Sequence, residues 1–195
     1  MCGIAGIFHP LLPKPVDEAR VRGMADALAH RGPDGSGVWT APGVGLGHRR
    51  LSIIDLGGGA QPMAYEGLVI SFNGEVYNYK ALRTELETKG HCFRTDSDTE
   101  VILAGWREWG VDCPTRLNGM FAFALYDEAA QTLHLVRDRL GVKPLFTATL
   151  PDGALIFASE LKGLLAHPLL RRAPSVHAVE DYLALGYVPD DASIV

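Results

Sequence analysis

The hydrophobic pattern of the chain predicts two sets of short strands with a pair of helices between them. Residues 2–8 are almost entirely apolar, and small residues at Gly3, Ala5 and Gly6 suit a buried strand in the middle of a sheet. Strand-like segments follow at 38–40, 44–48, 51–54 and 68–72, and a second set lies at 121–126, 133–137, 145–149 and 155–158. This order predicts an α+β layered protein rather than an alternating parallel fold.

Helical spacing and end signals predict the helices. Val21, Met24, Ala25 and Leu28 recur at helical spacing, and this first pattern ends near residues 32–33. Further helices are predicted to begin at Asn78, Ser97, Glu160 and Ser175. The start at Ser97 has the strongest signal, because Ser97 and Glu100 have the spacing of a capping box.

Turns are predicted where glycine or proline interrupts the pattern. The dipeptide Asn73-Gly74 can adopt positive φ and predicts a sharp turn after the strand at 68–72. Residues 151–153 predict a turn between the last two strands, and residues 30–35 a polar turn after the first helix.

Composition and charge narrow the function to small-molecule chemistry. The chain has 195 residues, of which 47% are hydrophobic and 21% charged, as expected of one compact globular domain. Its net charge is −5 and its basic residues are scattered, so it lacks the positive surface of a protein that binds nucleic acid or anionic lipid. A small-molecule substrate is therefore the better expectation.

The cysteines and the first residues predict a cytoplasmic protein without a metal site. Cys2, Cys92 and Cys113 are odd in number and far apart, which fits neither a disulfide framework nor a zinc site. Cys92 and Cys113 are therefore interpreted as structural thiols. No basic leader precedes the first apolar run, which stops at His9-Pro10, so a secretory signal is not predicted.

Cys2 is the strongest candidate for chemistry, because removal of Met1 would make it the amino terminus. Its thiol, with a reference pKa of about 8.5, would then lie beside an α-amine with a reference pKa of about 7.7 to 8.0. One residue would supply both nucleophile and base, and no histidine would be required. The alternative is a small buried hydrophobic residue in a strand, and Cys2 taken alone favours that alternative.

Six motifs together identify a family. They are Cys2-Gly3-Ile4-Ala5-Gly6, His30-Arg31-Gly32-Pro33-Asp34, Gly47-His48-Arg49-Arg50-Leu51-Ser52-Ile53, Asn73-Gly74-Glu75-Val76-Tyr77-Asn78, Ser97-Asp98-Thr99-Glu100 and Arg137-Asp138-Arg139-Leu140-Gly141-Val142-Lys143-Pro144-Leu145. The six motifs occur in this order and begin with a cysteine next to Met1. Together they resemble the glutaminase domain of glutamine-hydrolysing asparagine synthetases, which are class II glutamine amidotransferases. The resemblance spans the whole chain.

The resemblance implies an N-terminal nucleophile hydrolase fold of four layers, αββα, with two antiparallel sheets sandwiched between helical layers. Residues 1–186 would form the glutaminase domain, and residues 187–195 would begin a linker to a synthetase domain absent from this chain. The implied reaction is hydrolysis of glutamine to glutamate and ammonia through a thioester on the N-terminal cysteine. The ammonia would pass to the linked domain, which would amidate its acceptor with ATP and magnesium; the glutaminase domain itself would need no cofactor. The resemblance leaves a homodimer open and implies no nucleic-acid or membrane partner.

The resemblance also implies the catalytic residues. Cys2 would attack the side-chain amide of glutamine, and the Asn73 side chain and the Gly74 backbone N–H would donate to the resulting oxyanion. Glycine suits this position because the absence of Cβ lets the backbone approach the substrate. Without Cys2, Gly74 would be interpreted as an ordinary turn glycine.

Substrate recognition is assigned in the same way. Arg50 would bind the α-carboxylate of glutamine in its planar fork, while Arg49 would be a solvated surface charge. Asp98 would accept from the α-ammonium, and Glu75 or the backbone beside it would complete that recognition. Asp98 taken alone favours the alternative of a residue that only stabilises the helix dipole. The backbone of a segment after Arg50 would line the same pocket: Leu51, Ser52, Ile53 and Ile54.

Two alternatives remain open at this point. The domain could belong to another class II amidotransferase, making a phosphoribosylamine, an amino sugar or a polysaccharide component, because the missing domain chooses the acceptor. It could also be a catalytically silent regulatory domain of the same fold. No chemical role is assigned to residues 143–146, which are interpreted as a turn that supports the fold. No chemical role is assigned to the seven histidines either, most of which are expected at the surface or in contact with the site residues rather than with the substrate.

Overall fold

A computed structural model describes residues 1–11, 14–55, 57–189 and 193, which form two antiparallel sheets with helices on their outer faces. The first sheet has five strands in the order β2 (Gly35–Ala41), β3 (Val44–Arg50), β1 (Gly3–Phe8), β9 (Leu155–Ala158) and β8 (Phe146–Thr149). The second has four in the order β4 (Met63–Tyr65), β5 (Leu68–Val76), β6 (Gly119–Asp127) and β7 (Thr132–Arg137). The predicted α+β class is confirmed.

Helices flank the sheets on both sides. They are α1 (Glu18–Asp26), α2 (Tyr79–Thr88), α3 (Asp98–Trp109), α4 (Cys113–Arg116), α5 (Leu161–Leu165) and α6 (Val176–Leu185), with a short 3-10 helix at Gly110–Asp112. α1 and α5 pack on the first sheet, and α2 and α3 lie against the second and against each other.

Three buried clusters separate the layers. Met24 and Leu164 belong to the cluster between the first sheet and its helices, and Leu86 and Ile102 to the cluster between the second sheet and α2 and α3. A third cluster lies between the two sheets and contains apolar side chains of both. They are Ile4, Leu46 and Phe157 from the first sheet and Val69, Ala124 and Tyr126 from the second. The predicted αββα order of layers is therefore confirmed.

The first strand lies in the middle of its sheet, as predicted, between β3 and β9. Its small residues permit this packing, because a Cβ at Gly6 would lie 2.3 Å from a ring atom of Phe157 and 2.5 Å from the carbonyl oxygen of Gly45. Cys2 directly precedes this strand, so the central strand positions the candidate nucleophile at one end of the sheet.

The turn predicted at Asn73-Gly74 is wrong, because β5 continues through both residues to Val76. Gly74 pairs in register with Phe121 of β6, and a Cβ at Gly74 would lie 2.3 Å from the Met120 oxygen and 2.7 Å from the Phe121 Cα. Close approach of the neighbouring strand requires glycine here.

The strand predicted at 51–54 is also wrong. Leu51 directs its backbone N–H and oxygen towards the Cys2 thiol, and the Ser52 N–H donates to the Asp34 carboxylate at 2.8 Å. These backbone groups are therefore used by side chains rather than by a strand ladder. Sequence analysis also missed the short strand β4.

The helix starts are confirmed, but two details of the helices differ. α1 ends at Asp26, so the buried Leu28 belongs to the following turns. The capping box at Ser97 does not form: Ser97 Oγ accepts from the Thr99 N–H, while the Glu100 carboxylate accepts from the backbone N–H groups of Arg94 and Thr95.

The predicted linker at 187–195 lies largely outside the described residues, which include only 187–189 and 193 of that segment. Within the described part of the chain, no helix is both long and apolar enough to cross a membrane.

Candidate active site

A pocket of about 190 Å³ lies where Cys2, the end of β5 and the start of α3 meet. It brings together nearly all the residues that the sequence predicts for the site: Cys2, Arg50, Leu51, Ile53, Ile54, Asn73, Gly74, Glu75 and Asp98. Ser52 is the exception, because its N–H is turned to the Asp34 carboxylate and it does not line the pocket.

The Cys2 thiol contacts the backbone of the loop that follows β3. The Leu51 N–H donates to Cys2 Sγ at 3.4 Å, and Sγ lies 3.6 Å from the Leu51 oxygen. Burial raises the pKa of the thiol, while the Leu51 hydrogen bond and the positive charges of the amino terminus, Arg50 and Arg31 act in the opposite direction. Met1 is present and lines the pocket, so the terminal amine here belongs to Met1.

Arg31 holds the backbone of Cys2, a role that sequence analysis did not assign. Its Nε donates to the Cys2 carbonyl oxygen at 2.8 Å, and its Nη1 forms an ion pair with Glu160 at 2.8 Å. Burial disfavours ionisation of Glu160, but hydrogen bonds from Arg31, Lys162 and His30 outweigh it and lower its pKa to about 2. Only the position of Arg31 within the second motif could have signalled this contact.

Asn73 is 1% exposed, and its side-chain nitrogen Nδ2 has no hydrogen-bond partner among the described residues. Buried polar groups are nearly always paired, because an unsatisfied donor costs about 1 to 3 kcal/mol. This amide lines the same pocket as Cys2. The arrangement therefore offers a preorganised donor to a ligand.

The backbone N–H of Gly74 points to the edge of β5 that is opposite β6. Phe121 pairs with Asp138 on the β7 side, where the Asp138 N–H donates to the Phe121 oxygen at 2.7 Å. The N–H and the carbonyl of one strand residue point to the same side, and Phe121 uses both towards Asp138. Gly74 and Phe121 are therefore a non-hydrogen-bonded pair, and the Gly74 N–H points away from β6. The N–H groups two residues to either side, of Phe72 and Val76, face this edge too and donate to Gln61 and Asp98.

Asp98 is the first residue of α3 and is 4% exposed. Its Oδ2 accepts from the Val76 N–H at 3.0 Å. Burial raises the pKa of this carboxyl to about 6; the Val76 hydrogen bond opposes the shift, and the nearby charge of Glu75 adds to it. A positively charged ligand group would favour its ionised form.

Arg50 lines the pocket and the adjacent Arg49 does not, as the sequence predicts. Arg50 Nη2 donates to the carbonyl oxygens of Ile54 and Asp55, which orients the guanidinium at the pocket wall. Arg49 is not a solvated surface charge: its side chain is largely buried and forms an ion pair with Asp26 at 3.3 Å.

Gln61 is a second residue that sequence analysis missed. It lines the pocket, its Oε1 accepts from the Phe72 N–H at 2.7 Å, and its Nε2 donates to Thr99 Oγ1 at 3.3 Å. It therefore ties the edge of β5 to the start of α3. Its position near Pro62 in a glycine-rich segment carried no signal for this role.

The remaining cysteines and histidines agree only in part with the sequence expectations. Burial raises the pKa of Cys113 to about 12, consistent with a structural thiol, whereas Cys92 is exposed and the same interpretation is wrong for it. His48 is fully buried between the sheets beside Ser71, and burial lowers its pKa to about 3. Among the described residues, no three His, Cys, Asp or Glu side chains are grouped as they would be around a metal ion.

A family profile described as "Glutamine amidotransferase domain" matches residues 1–195. The chain belongs to this family. Relatives of this amidotransferase domain include "Asparagine synthetase [glutamine-hydrolyzing] 1" of Bacillus subtilis, 41% identical over 100% of this chain and 31% of the relative. "Asparagine synthetase B [glutamine-hydrolyzing]" of Escherichia coli is 40% identical over 84% of this chain and 30% of the relative. The chain thus spans about a third of the length of these curated relatives.

A solved structure has the same fold as this amidotransferase domain. It is the glutamine phosphoribosylpyrophosphate amidotransferase of Bacillus subtilis, with a TM-score of 0.70, 24% identity, and coverage of 85% of this chain and 43% of the other. The N-terminal nucleophile hydrolase fold implied by the six motifs is therefore confirmed.

Proposed function

We propose that this domain hydrolyses L-glutamine to L-glutamate and ammonia through a thioester on Cys2. The observation that carries the proposal is the buried, unpartnered Asn73 amide in the same pocket as the Cys2 thiol. A donor held in place without a protein acceptor is what an oxyanion site needs, because it requires no reorganisation when charge develops.

The first half of the reaction begins after Met1 is removed. The freed Cys2 amine accepts the thiol proton, and Sγ attacks the side-chain amide carbon of glutamine. The carbonyl oxygen becomes an oxyanion that accepts from Asn73 Nδ2 and the Gly74 N–H. When the C–N bond breaks, the amine returns the proton to the departing nitrogen, which leaves as ammonia.

The second half regenerates the thiol. The Cys2 amine accepts a proton from water, the resulting nucleophile attacks the thioester carbon, and the same donors stabilise the second oxyanion. Breaking the C–S bond releases glutamate, and Sγ recovers the proton. The arrangement of Arg31 and Glu160 supports both halves, because it holds the Cys2 carbonyl and hence the residue that carries the thiol and the amine.

Recognition of the amino-acid end would use the two charged groups at the pocket wall. Arg50 would pair with the α-carboxylate and Asp98 with the α-ammonium, while Glu75 adds a second negative charge. Leu51, Ile53 and Ile54 would form the wall of the same subsite.

The ammonia would serve an asparagine-synthetase-like amidation. The names and lengths of the relatives support this step: they are called glutamine-hydrolyzing asparagine synthetases and are about three times as long as the chain. We propose that residues 1–186 form the glutaminase domain, that ATP and magnesium are needed only in the linked synthetase domain, and that the protein acts in the cytoplasm.

The test combines intact mass with a glutaminase assay. Active material should lack Met1, and a homogeneous sample that retains Met1 should release no glutamate from glutamine. Cys2→Ala should abolish turnover, while Cys92→Ala, which changes an exposed thiol, should leave it unchanged. Normal turnover by Cys2→Ala would refute the proposal, and a correctly processed but inactive domain would favour the catalytically silent alternative.

A further inference from the structure

Lys143 is a buried lysine that the proposed reaction does not use. It is 5% exposed, and it lines the pocket together with Cys2, Asn73 and Met120. Within the described part of the chain its ammonium has neither an ion pair nor a hydrogen bond, and the two pocket carboxylates, Glu75 and Asp98, do not pair with it. The stem of Lys143 is enclosed by protein while its ammonium opens to the pocket, so an anionic ligand group in the pocket is the partner that this charge lacks.

The backbone of Lys143 is held firmly. The Asp138 carboxylate accepts from the N–H groups of Lys143 at 3.0 Å, Val142 at 2.9 Å and Phe121 at 3.1 Å. Arg137 Nε donates to the Lys143 oxygen at 3.1 Å. Hydrogen bonds to both the N–H and the carbonyl oxygen of Lys143 therefore fix the point from which the side chain enters the pocket.

Lys143 and Asp98 approach the β5 segment of the site from opposite sides. Asp98 contacts Val76 at the free edge of β5. Lys143 is attached through Asp138 to Phe121 of β6, the strand on the other side of β5. Asp98, Asn73 and Lys143 all line the one pocket, so a ligand whose ammonium lies at Asp98 and whose side-chain end lies at Asn73 would have the Lys143 ammonium in the same pocket as its side-chain end.

We propose that Lys143 is an anion-binding group for the side-chain end of the ligand. Its ammonium would attract the negative charge of the tetrahedral intermediates and the γ-carboxylate of the glutamate product. This inference rests on the proposed glutaminase function. It assigns to Lys143 a charge-specific role, distinct from the α-carboxylate recognition assigned to Arg50.

The test uses the charge difference between glutamate and glutamine, which share their amino-acid end. In Met1-free Cys2→Ala protein, calorimetry measures binding of L-glutamine and L-glutamate with and without Lys143→Met. Loss of the charge should weaken L-glutamate binding by about tenfold or more and leave L-glutamine within about twofold. Lys143→Arg, which keeps the charge, should retain most of the L-glutamate affinity.

Kinetics in the active protein give a second measurement. Lys143→Met should lower kcat by about tenfold with little change in KM for glutamine, because the charge it stabilises is absent from the ground state. Lys143→Gln provides a polar neutral variant in case Lys143→Met does not fold.

The outcomes separate this inference from the proposed function. Equal loss of glutamine and glutamate binding, or no loss of either, would overturn the role of Lys143 alone. If the Cys2→Ala parent binds no glutamine at all, the glutaminase proposal fails, and the role of Lys143 fails with it.

Discussion

The Asp98 carboxylate accepts a hydrogen bond from the Val76 N–H at 3.0 Å, which joins the first residue of α3 to the last residue of β5. One carboxylate thus completes the edge of the strand that carries Asn73 and Gly74, and it also faces the pocket. The proposed ammonium-binding carboxylate and the proposed oxyanion site are therefore linked through this hydrogen bond.

The first prediction concerns pH. The pKa of Asp98 is raised to about 6, so the carboxyl loses its charge as pH falls below this value. Since the proposed pairing with the substrate ammonium needs the ionised form, kcat/KM for glutamine should fall about tenfold per pH unit below this pKa. Asp98→Asn should have a high KM and no such dependence; an unchanged acid limb in this variant would show that another group titrates.

Thermal melting provides the control for this variant. Because the folded-state pKa is raised, the stabilising contribution is present below the unfolded value of about 3.9 and is lost as pH rises through the folded value. Asp98→Asn should therefore gain more in Tm, relative to the unchanged domain, at alkaline than at acidic pH. A gain in stability together with a loss of binding would separate the two roles.

The second prediction separates catalysis from binding at two pocket residues. Asn73→Ala should cost roughly 3 kcal/mol of transition-state stabilisation, mainly in kcat, because it removes one oxyanion donor. Arg50→Ala should raise KM instead, since the α-carboxylate keeps its charge throughout the reaction. Steady-state kinetics decide between them, and wild-type kcat in Asn73→Ala would remove Asn73 from the mechanism.

The third prediction concerns the fit between β5 and β6. Gly74→Ala places a Cβ 2.3 Å from the Met120 oxygen, so it should lower Tm markedly and abolish activity. The matched control is Gly23→Ala in α1, where the added Cβ would have no described atom within 4 Å apart from its chain neighbours and the backbone of its own helix. This change should raise stability by about 0.5 to 1 kcal/mol. Equal melting of the two variants would contradict the packing argument.

The fourth prediction assigns Gln61 a positioning role. Gln61→Met removes the acceptor for the Phe72 N–H and the donor to Thr99, so the edge of β5 should relax and kcat should fall. Gln61→Glu keeps the acceptor but adds a negative charge near Asp98. It should preserve more of kcat and shift the acid limb of kcat/KM to higher pH. If both variants lose kcat equally without a shift of this limb, Gln61 acts only on stability.

Local patterns explain which parts of the fold sequence analysis predicted correctly. The run at residues 2–8, the spacing of Val21 and Met24, and the start signal at Ser97 each reflect short-range preferences that the tertiary structure preserves. The predicted turn at Asn73-Gly74 failed because the same dipeptide suits both a turn and a closely packed strand.

The site residues also divide into those that sequence motifs identified and those that only the structure revealed. Motifs identified Cys2, Arg50, Asn73 and Asp98, which the fold brings to one pocket, and only Ser52 among the predicted pocket residues lies outside it. Arg31, Gln61 and Lys143 were missed because their roles depend on partners distant along the chain. Arg31 contacts Cys2 and Glu160, and the N–H of Lys143 shares the Asp138 carboxylate with that of Phe121.

The sequence by itself determined the family, the α+β class and the candidate nucleophile, because ordered motifs and hydrophobic periodicity are local properties of the chain. The tertiary structure decided which groups share the pocket and how each is surrounded. Among the described residues, the Asn73 amide nitrogen and the Lys143 ammonium have no partner, and the buried Asp98 carboxyl has a raised pKa. Burial and hydrogen-bond pairing depend on segments that are far apart in sequence, and only folding brings them together.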